Sequence, residues 1–165
     1  MKRFFLLLIC LFLFCGIFEV KSETPKADFI KLEKSKRLLT LFSKGKELKV
    51  YRVSLGPVPV GKKEKQGDYK TPEGKYIIDY KNPQSQYHLS LHISYPNKED
   101  KLHAQKMGVS PGGDIMIHGL GKHFNWMGKA HIFFDWTLGC VAVTDEEMDE
   151  IWKLVPEGTS IEIVP

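Results

Sequence analysis

The chain has 165 residues, 42% of them hydrophobic and 27% charged, with 14 Gly and 9 Pro. This is the composition of a folded chain with room for one domain, and it excludes a disordered tail, a collagen-like fibre and a multidomain enzyme. The formal charge of +4 comes from 24 basic and 20 acidic residues with the signs interspersed, so no basic block marks a nucleic-acid groove and no nucleic-acid partner is expected.

In chain order, Lys2 and Arg3 precede an apolar run from Phe4 to Phe18, the order of charge and hydrophobe in a secretory signal. The run is short of the roughly twenty residues a membrane span needs. Val20 and Ser22 suit a cleavage site, giving a mature start near Glu23. Residues 1–22 are therefore read as a signal peptide, with an uncleaved N-terminal anchor as the alternative and lipidation at Cys15 as a weaker one disfavoured by bulky Phe14. In each case the folded part is exported, and membrane contact is expected only through residues 1–22.

From Ala27 to Leu55, short alternating runs at 29–32, 38–42 and 48–53, with Lys44-Gly45-Lys46 as a turn, predict a β meander. Residues 56–69 are polar and turn-rich, a loop. Thr71-Pro72-Glu73-Gly74 is a turn opening a strand from Lys75 to Tyr80, which Asn82-Pro83 is expected to end. Residues 87–95 alternate strictly, with Leu89, Leu91 and Ile93 on one face and His88, Ser90, His92 and Ser94 on the other. A short polar helix fits residues 97–107, and residues 114–118 read as a buried strand ending at Gly119.

Residues 120–136 lack a clean period and are read as an ordered loop with room for a helical turn. A strand is expected over 139–143. Thr144 then caps a helix whose first turn carries Asp145, Glu146 and Glu147 and whose apolar face is Met148, Ile151, Trp152 and Val155. Thr159 to Val164 supplies a last strand. Seven or eight strands and one convincing helix predict a mainly β sandwich or barrel-like domain with one C-terminal helix and short helical turns, spanning residues 27–165.

Cleavage after residue 22 would remove Cys10 and Cys15 and leave Cys140 alone, without an intramolecular disulfide partner. A spare thiol in an exported chain is either well buried or kept for its reactivity. His118 lies twenty-two residues upstream. Imidazole is the side chain whose ordinary pKa suits it to take a thiol proton near neutrality, so cysteine acyl transfer is the natural reaction class. Gly139 before the thiol removes side-chain bulk and leaves backbone N–H groups for an oxyanion. By residue type alone, the pair also reads as a small buried hydrophobe and an ordinary histidine at a strand end.

His118-Gly119 followed by Thr137-Leu138-Gly139-Cys140 resembles the signature of the L,D-transpeptidase (YkuD-type) family, whose pattern is His-Gly, a variable stretch, then Ser/Thr-x-Gly-Cys. The Thr71-Pro72-x-Gly74 turn is also similar to the family's, and the resemblance covers about residues 27–164. It implies a periplasmic or wall-associated enzyme acting on peptidoglycan stem peptides, without metal or organic cofactor. Cys140 would be the nucleophile, His118 the base, Gly139 and Cys140 the backbone donors to the oxyanion, and Thr137 an orienting residue. Gly119, Leu138, Ala142, His88 and Trp136 are expected to contribute to the substrate site.

Two positions depart from the family pattern. Ala142 stands where the family commonly has Arg, which removes a planar cation able to hold a carboxylate, and Leu138 stands where a second His is common. Gly139-Cys140-Val141-Ala142 is similar to a branch that includes enzymes cutting a lipoprotein off the wall, so a wall-attached lipoprotein joins stem peptides among the expected partners. Transfer and hydrolysis share one acyl-enzyme and differ in whether an amine or water attacks it. The aromatic residues between 124 and 136 would either cover the acyl group or serve only packing.

Among rival readings, His88 and His92, joined by His103, His118 or His131, would suggest zinc only on a helix, and this segment alternates as a strand. A non-catalytic wall-binding domain and a redox sensor are the others, and the sensor lacks a resolving cysteine.

Overall fold

The structure, a computed structural model, describes residues 24–165. The expected signal segment and its two cysteines lie outside the described residues. The strands are β1 (Phe29–Glu33), β2 (Leu38–Ser43), β3 (Lys46–Arg52), β4 (Gly74–Ser85), β5 (His88–Ile93), β6 (Met116–His118), β7 (Val141–Ala142) and β8 (Ser160–Val164). They form one sheet in the order β3-β2-β1-β8-β4-β5-β6-β7. The architecture is mainly β, as the sequence implies.

The meander β1-β2-β3 is antiparallel throughout. The last strand, β8, enters between β1 and β4, parallel to the first and antiparallel to the second. Its Ile161 and Ile163 are thereby buried at the centre of the sheet with Ile30 and Leu32. β4 joins the two halves, pairing through residues 74–77 with β8 and, from Ile78 onward, with β5.

Asn82-Pro83 does not end β4, which runs on to Ser85. Beyond Ile77 the strand has only β5 beside it, and its register shifts between Asn82 and Ser85. Proline has no N–H to give to a ladder, so it is tolerated on such an open, bulged edge. The expected strand over 139–143 shrinks to Val141–Ala142, because Gly139 and Cys140 belong to a turn.

Among the described residues there are three α-helices. α1 (Lys98–Lys106) starts at an Asn97 capping box, with Asn97 Oδ1 accepting from Asp100 N. α2 (Gly121–Phe124) leads into a 3₁₀ segment, Asn125–Phe133, so the stretch read as a loop is mostly helical turns. α3 (Asp145–Leu154) has the reciprocal Thr144–Glu147 capping box. Met148 and Ile151 are buried and the helix packs on β5. Helix ends carry free N–H groups, and the Thr144 hydroxyl and Glu147 carboxylate answer two of them. Among the described residues, no helix is long and apolar enough to cross a membrane.

The long 56–73 connection is held from within. Lys34, 1% exposed, donates from Nζ to Gly61 O at 2.7 Å, Thr71 O at 3.0 Å and Glu73 Oε1 at 2.8 Å. Burial pushes its pKa down, and the Glu73 carboxylate opposes that shift. A buried ammonium needs such a full set of acceptors. The clamp fixes the Thr71–Gly74 turn, and with it the segment lying against the Gly139-Cys140 turn.

Candidate active site

β6 and β7 run parallel, with Ile117 opposite Val141 and His118 opposite Ala142. Cys140 therefore falls beside Met116, two residues before His118 on the neighbouring strand. Side chains two apart along a strand share a face, so this register directs Cys140 and His118 to the same side. Both line one cleft of about 680 Å3, together with Trp136, Thr137 and Leu138 of the expected set.

The Thr137–Cys140 turn is closed by one hydroxyl. Thr137 Oγ1 donates to Cys140 O at 2.8 Å and accepts from Gly139 N at 3.2 Å. Thr137 itself is 4% exposed, and its N–H donates to Leu55 O at 3.0 Å. Because Gly139 N–H is engaged in this way, it is not a free donor to an oxyanion. Cys140 N–H has no hydrogen-bond partner among the described residues and remains available.

Gly139 is required for a reason other than substrate approach. Its φ is +121°, and a Cβ there would lie 2.5 Å from Lys70 O. The room cleared by the missing side chain is filled by the chain's own 56–73 connection, so the glycine permits the turn to pack.

The thiol is held by backbone. Met116 N–H donates to Cys140 Sγ at 3.4 Å, and Sγ–H donates to Asp114 O at 3.5 Å. Burial pushes the Cys140 thiol up, with the Met116 N–H working in the opposite direction. His118 is 4% exposed, and burial pushes its pKa down to about 4, against the opposing effect of its bond to Gly119 O. Desolvation penalises both charged forms, so the resting pair is a neutral thiol and a neutral imidazole rather than a preformed ion pair.

His118 Nδ1 lies 2.6 Å from Gly119 O. A carbonyl only accepts, so Nδ1 carries the proton and Nε2 keeps the lone pair of the neutral ring. The ring is walled by aromatics, with Tyr87 at 4.6 Å between centroids and Trp136 edge-on at 5.9 Å. Phe124 packs on Trp136 at 4.6 Å. The aromatic stretch between base and nucleophile thus contributes both to the cleft wall and to packing.

Besides Gly139, three expected residues fall outside the cleft lining. Gly119 is behind it, where a Cβ would meet Asp145 Oδ1 at 2.4 Å. Ala142 is fully buried and bridges Ser54 through reciprocal backbone bonds, Ser54 N to Ala142 O and Ala142 N to Ser54 O. His88 turns away with a φ of +71°, its Nε2 2.8 Å from Asp149 Oδ1. The β5 register explains this: Ser90 lies opposite His118, and His88, paired with Ser85 beside the β4–β5 turn, lies beyond the end of the β5–β6 ladder.

The remaining zinc candidates are dispersed, His92 on Asp79 and His103 on Glu64. His131 is buried, with Nδ1 2.9 Å from Ser54 Oγ. Among the described residues, no group of three or more His, Cys, Asp or Glu side chains is arranged to hold a metal ion.

Residue types and spacing missed Tyr87, the Met116 N–H and Asp145. Asp145 Oδ1 accepts from Leu120 N at 2.7 Å and Gly121 N at 3.0 Å, bracing the turn that follows His118. Its place in the first turn of α3 was legible, but its second set of donors comes from 24 and 25 residues upstream.

Comparison with known proteins bears on the family and the fold. The sequence model of the YkuD family, the L,D-transpeptidase catalytic domain, matches residues 27–163. YafK of Escherichia coli (strain K12), provisionally named an L,D-transpeptidase, is 30% identical over 133 residues, covering 77% of this chain and 46% of YafK. The chain thus spans about half the length of that relative. The helical cell shape determining protein Pgp2 of Campylobacter jejuni shares the fold at 22% identity and a TM-score of 0.64, covering 84% of this chain and 48% of Pgp2. L,D-transpeptidase 1 of Mycobacterium tuberculosis shares it at 15% identity and a TM-score of 0.51, covering 83% of this chain and 60% of that one.

Proposed function

The chain belongs to the L,D-transpeptidase catalytic-domain family, and from that premise we propose that it remodels peptidoglycan through a cysteine acyl-enzyme formed on stem peptides. The observation that carries the reading is the joint presence of Cys140 and a neutral, Nδ1-protonated His118 in one cleft. Export through residues 1–22 would bring the domain to the cell envelope.

In this mechanism Cys140 Sγ attacks the carbonyl at the L-centre of diaminopimelate while His118 Nε2 takes the thiol proton. One S–C bond forms, and the carbonyl π electrons move to oxygen. Cys140 N–H faces the resulting oxyanion as the donor left free by the Thr137 turn. Collapse breaks the C–N bond, and His118 returns its proton to the departing D-alanine amine. An amine of a second stem then attacks the thioester carbonyl, gives its proton to the base and releases the thiol.

Hydrolysis of the same thioester is the second reading, covering an L,D-carboxypeptidase and an enzyme that releases a wall-linked lipoprotein. The similarity of Gly139-Cys140-Val141-Ala142 to the branch that includes lipoprotein-releasing enzymes favours it. Either activity would alter wall architecture and, through it, cell shape, the role for which the Campylobacter jejuni protein is named.

The experiment is incubation with defined tetrapeptide and pentapeptide muropeptides, with products identified by mass. Cross-linked dimers support transfer and shortened monomers support hydrolysis. Unchanged substrates, together with no carbapenem adduct on Cys140, would refute the catalytic reading.

A further inference from the structure

A second cavity of about 580 Å3 lies against the cleft, behind the wall made by the β4–β5 turn and α2. Consecutive residues face opposite ways across this wall. Tyr87 and Phe124 line the Cys140 cleft, whereas their neighbours Gln86, His88, His123 and Asn125 line the second cavity. Tyr87 and Phe124 stack at 6.4 Å with an interplanar angle of 11°. The two sides of the wall are locked at Gly121, whose φ is +64° and where a Cβ would lie 2.3 Å from Gln86 O. The partition is one residue thick.

The side chains that line this second cavity are all polar or charged. The lining contains no Phe, Tyr, Trp or aliphatic side chain: Ser85, Gln86 and Asn125 offer hydroxyl and amide groups, His88 and His123 imidazoles, and Lys122 an ammonium. Asp145, the one carboxylate, already accepts from Leu120 N and Gly121 N. His88 is engaged with Asp149. Lys122 makes no salt bridge among the described residues and is exposed. Sugar rings favour the broad face of a Trp or Tyr for stacking, and neither residue is in this lining. Amides beside one unpaired cation instead complement a short polar peptide ending in a carboxylate. The volume is within the usual range of small-ligand sites.

We propose that this cavity is a second peptide site, which holds the carboxylate end of another stem peptide on Lys122, with Gln86 and Asn125 bonding its backbone amides. The inference rests on the reading of the chain as a stem-peptide enzyme and assigns that enzyme a non-reacting subsite across the wall from Cys140. Asp145 connects the two, since it borders the cavity while bracing the turn after His118. A peptide held there would place its glycan strand beside the reacting one.

The test uses the Cys140→Ala protein, so that binding is read without turnover. A synthetic stem tripeptide ending in diaminopimelate is titrated in while the side-chain amide NMR signals of Gln86 and Asn125 are followed. The expected result is saturable shifts of both signals, with affinity lowered about tenfold by Lys122→Glu and by amidation of the peptide's C-terminal carboxylate. Asn125→Ala should weaken binding as well. Shifts confined to the Cys140 cleft, affinity unchanged in both Lys122→Glu and Asn125→Ala, or equal binding of the peptide-free disaccharide would each overturn the proposal. Carbapenem acylation of Cys140 in the unaltered protein is measured separately. Loss of acylation in the parent protein would count against the catalytic reading, whatever the titration gives.

Discussion

His118 Nδ1 donates to the carbonyl of Gly119, its own chain neighbour, at 2.6 Å. This short-range bond does what a distant carboxylate does in many thiol and serol sites: it fixes the tautomer and the ring plane, here without adding a negative charge. The base therefore stays weak and neutral, and its work is confined to the moment of attack. His118→Ala should lower the rate of Cys140 acylation by a carbapenem by about 10²- to 10⁴-fold, the usual contribution of a positioned base. Cys140→Ala should abolish the mass adduct altogether, and both proteins should keep cooperative thermal unfolding.

The pH dependence follows from burial. With the His118 pKa pushed down to about 4, the free enzyme should keep an active base well below neutrality, and the acidic limb of the acylation rate should fall near pH 4 instead of near 6.5. The sign for stability is fixed by proton uptake. Between pH 4 and 6.5 the unfolded imidazole holds more protons than the folded one, so stability rises with pH across that window and is level above it. The full change from this group is on the order of 3 kcal/mol. His131, also pushed down by burial, acts in the same direction. Denaturant unfolding at pH 7 and 4.5 should show the loss at acid pH, and His118→Gln should reduce it.

Thr137 joins both ends of the nucleophile turn through one hydroxyl. The site is 4% exposed, so water is a poor replacement for the lost group. Thr137→Ala should cost about 1–3 kcal/mol, as expected when buried partners lose their hydrogen bonds, and should slow acylation. Thr137→Ser, which retains the oxygen, should recover most of the rate. Equal rates for the two variants would remove Thr137 from the positioning of Cys140.

Gly139→Ala combines a left-handed φ with a Cβ 2.5 Å from Lys70 O. Neither the backbone carbonyl nor the turn can yield cheaply. The variant should lose at least about 2 kcal/mol of stability, read from its denaturation midpoint, with a matching drop in acylation rate. A fully stable, fully active Gly139→Ala protein would show that the 56–73 connection moves freely against the turn.

The sequence by itself determined what depends on near neighbours. The meander from β1 to β3 follows from alternation over five to seven residues, and α3 from Thr144 and Glu147 three apart. The pairing of His118-Gly119 with Thr137-Leu138-Gly139-Cys140 was legible because it rests on residue type and order. Only the tertiary structure decided which distant groups meet. The hydrogen-bond ladder inserted β8 beside β1, allowed β4 to pass Pro83 on an open edge, and carried His88 out of the cleft. It also brought Lys70 O against Gly139, Asp145 beneath the turn after His118, and Tyr87 onto the imidazole. Local propensity is set by each residue's own dihedrals and its next turn, whereas these contacts join residues from 24 to 131 positions apart, and burial of the whole core selects them.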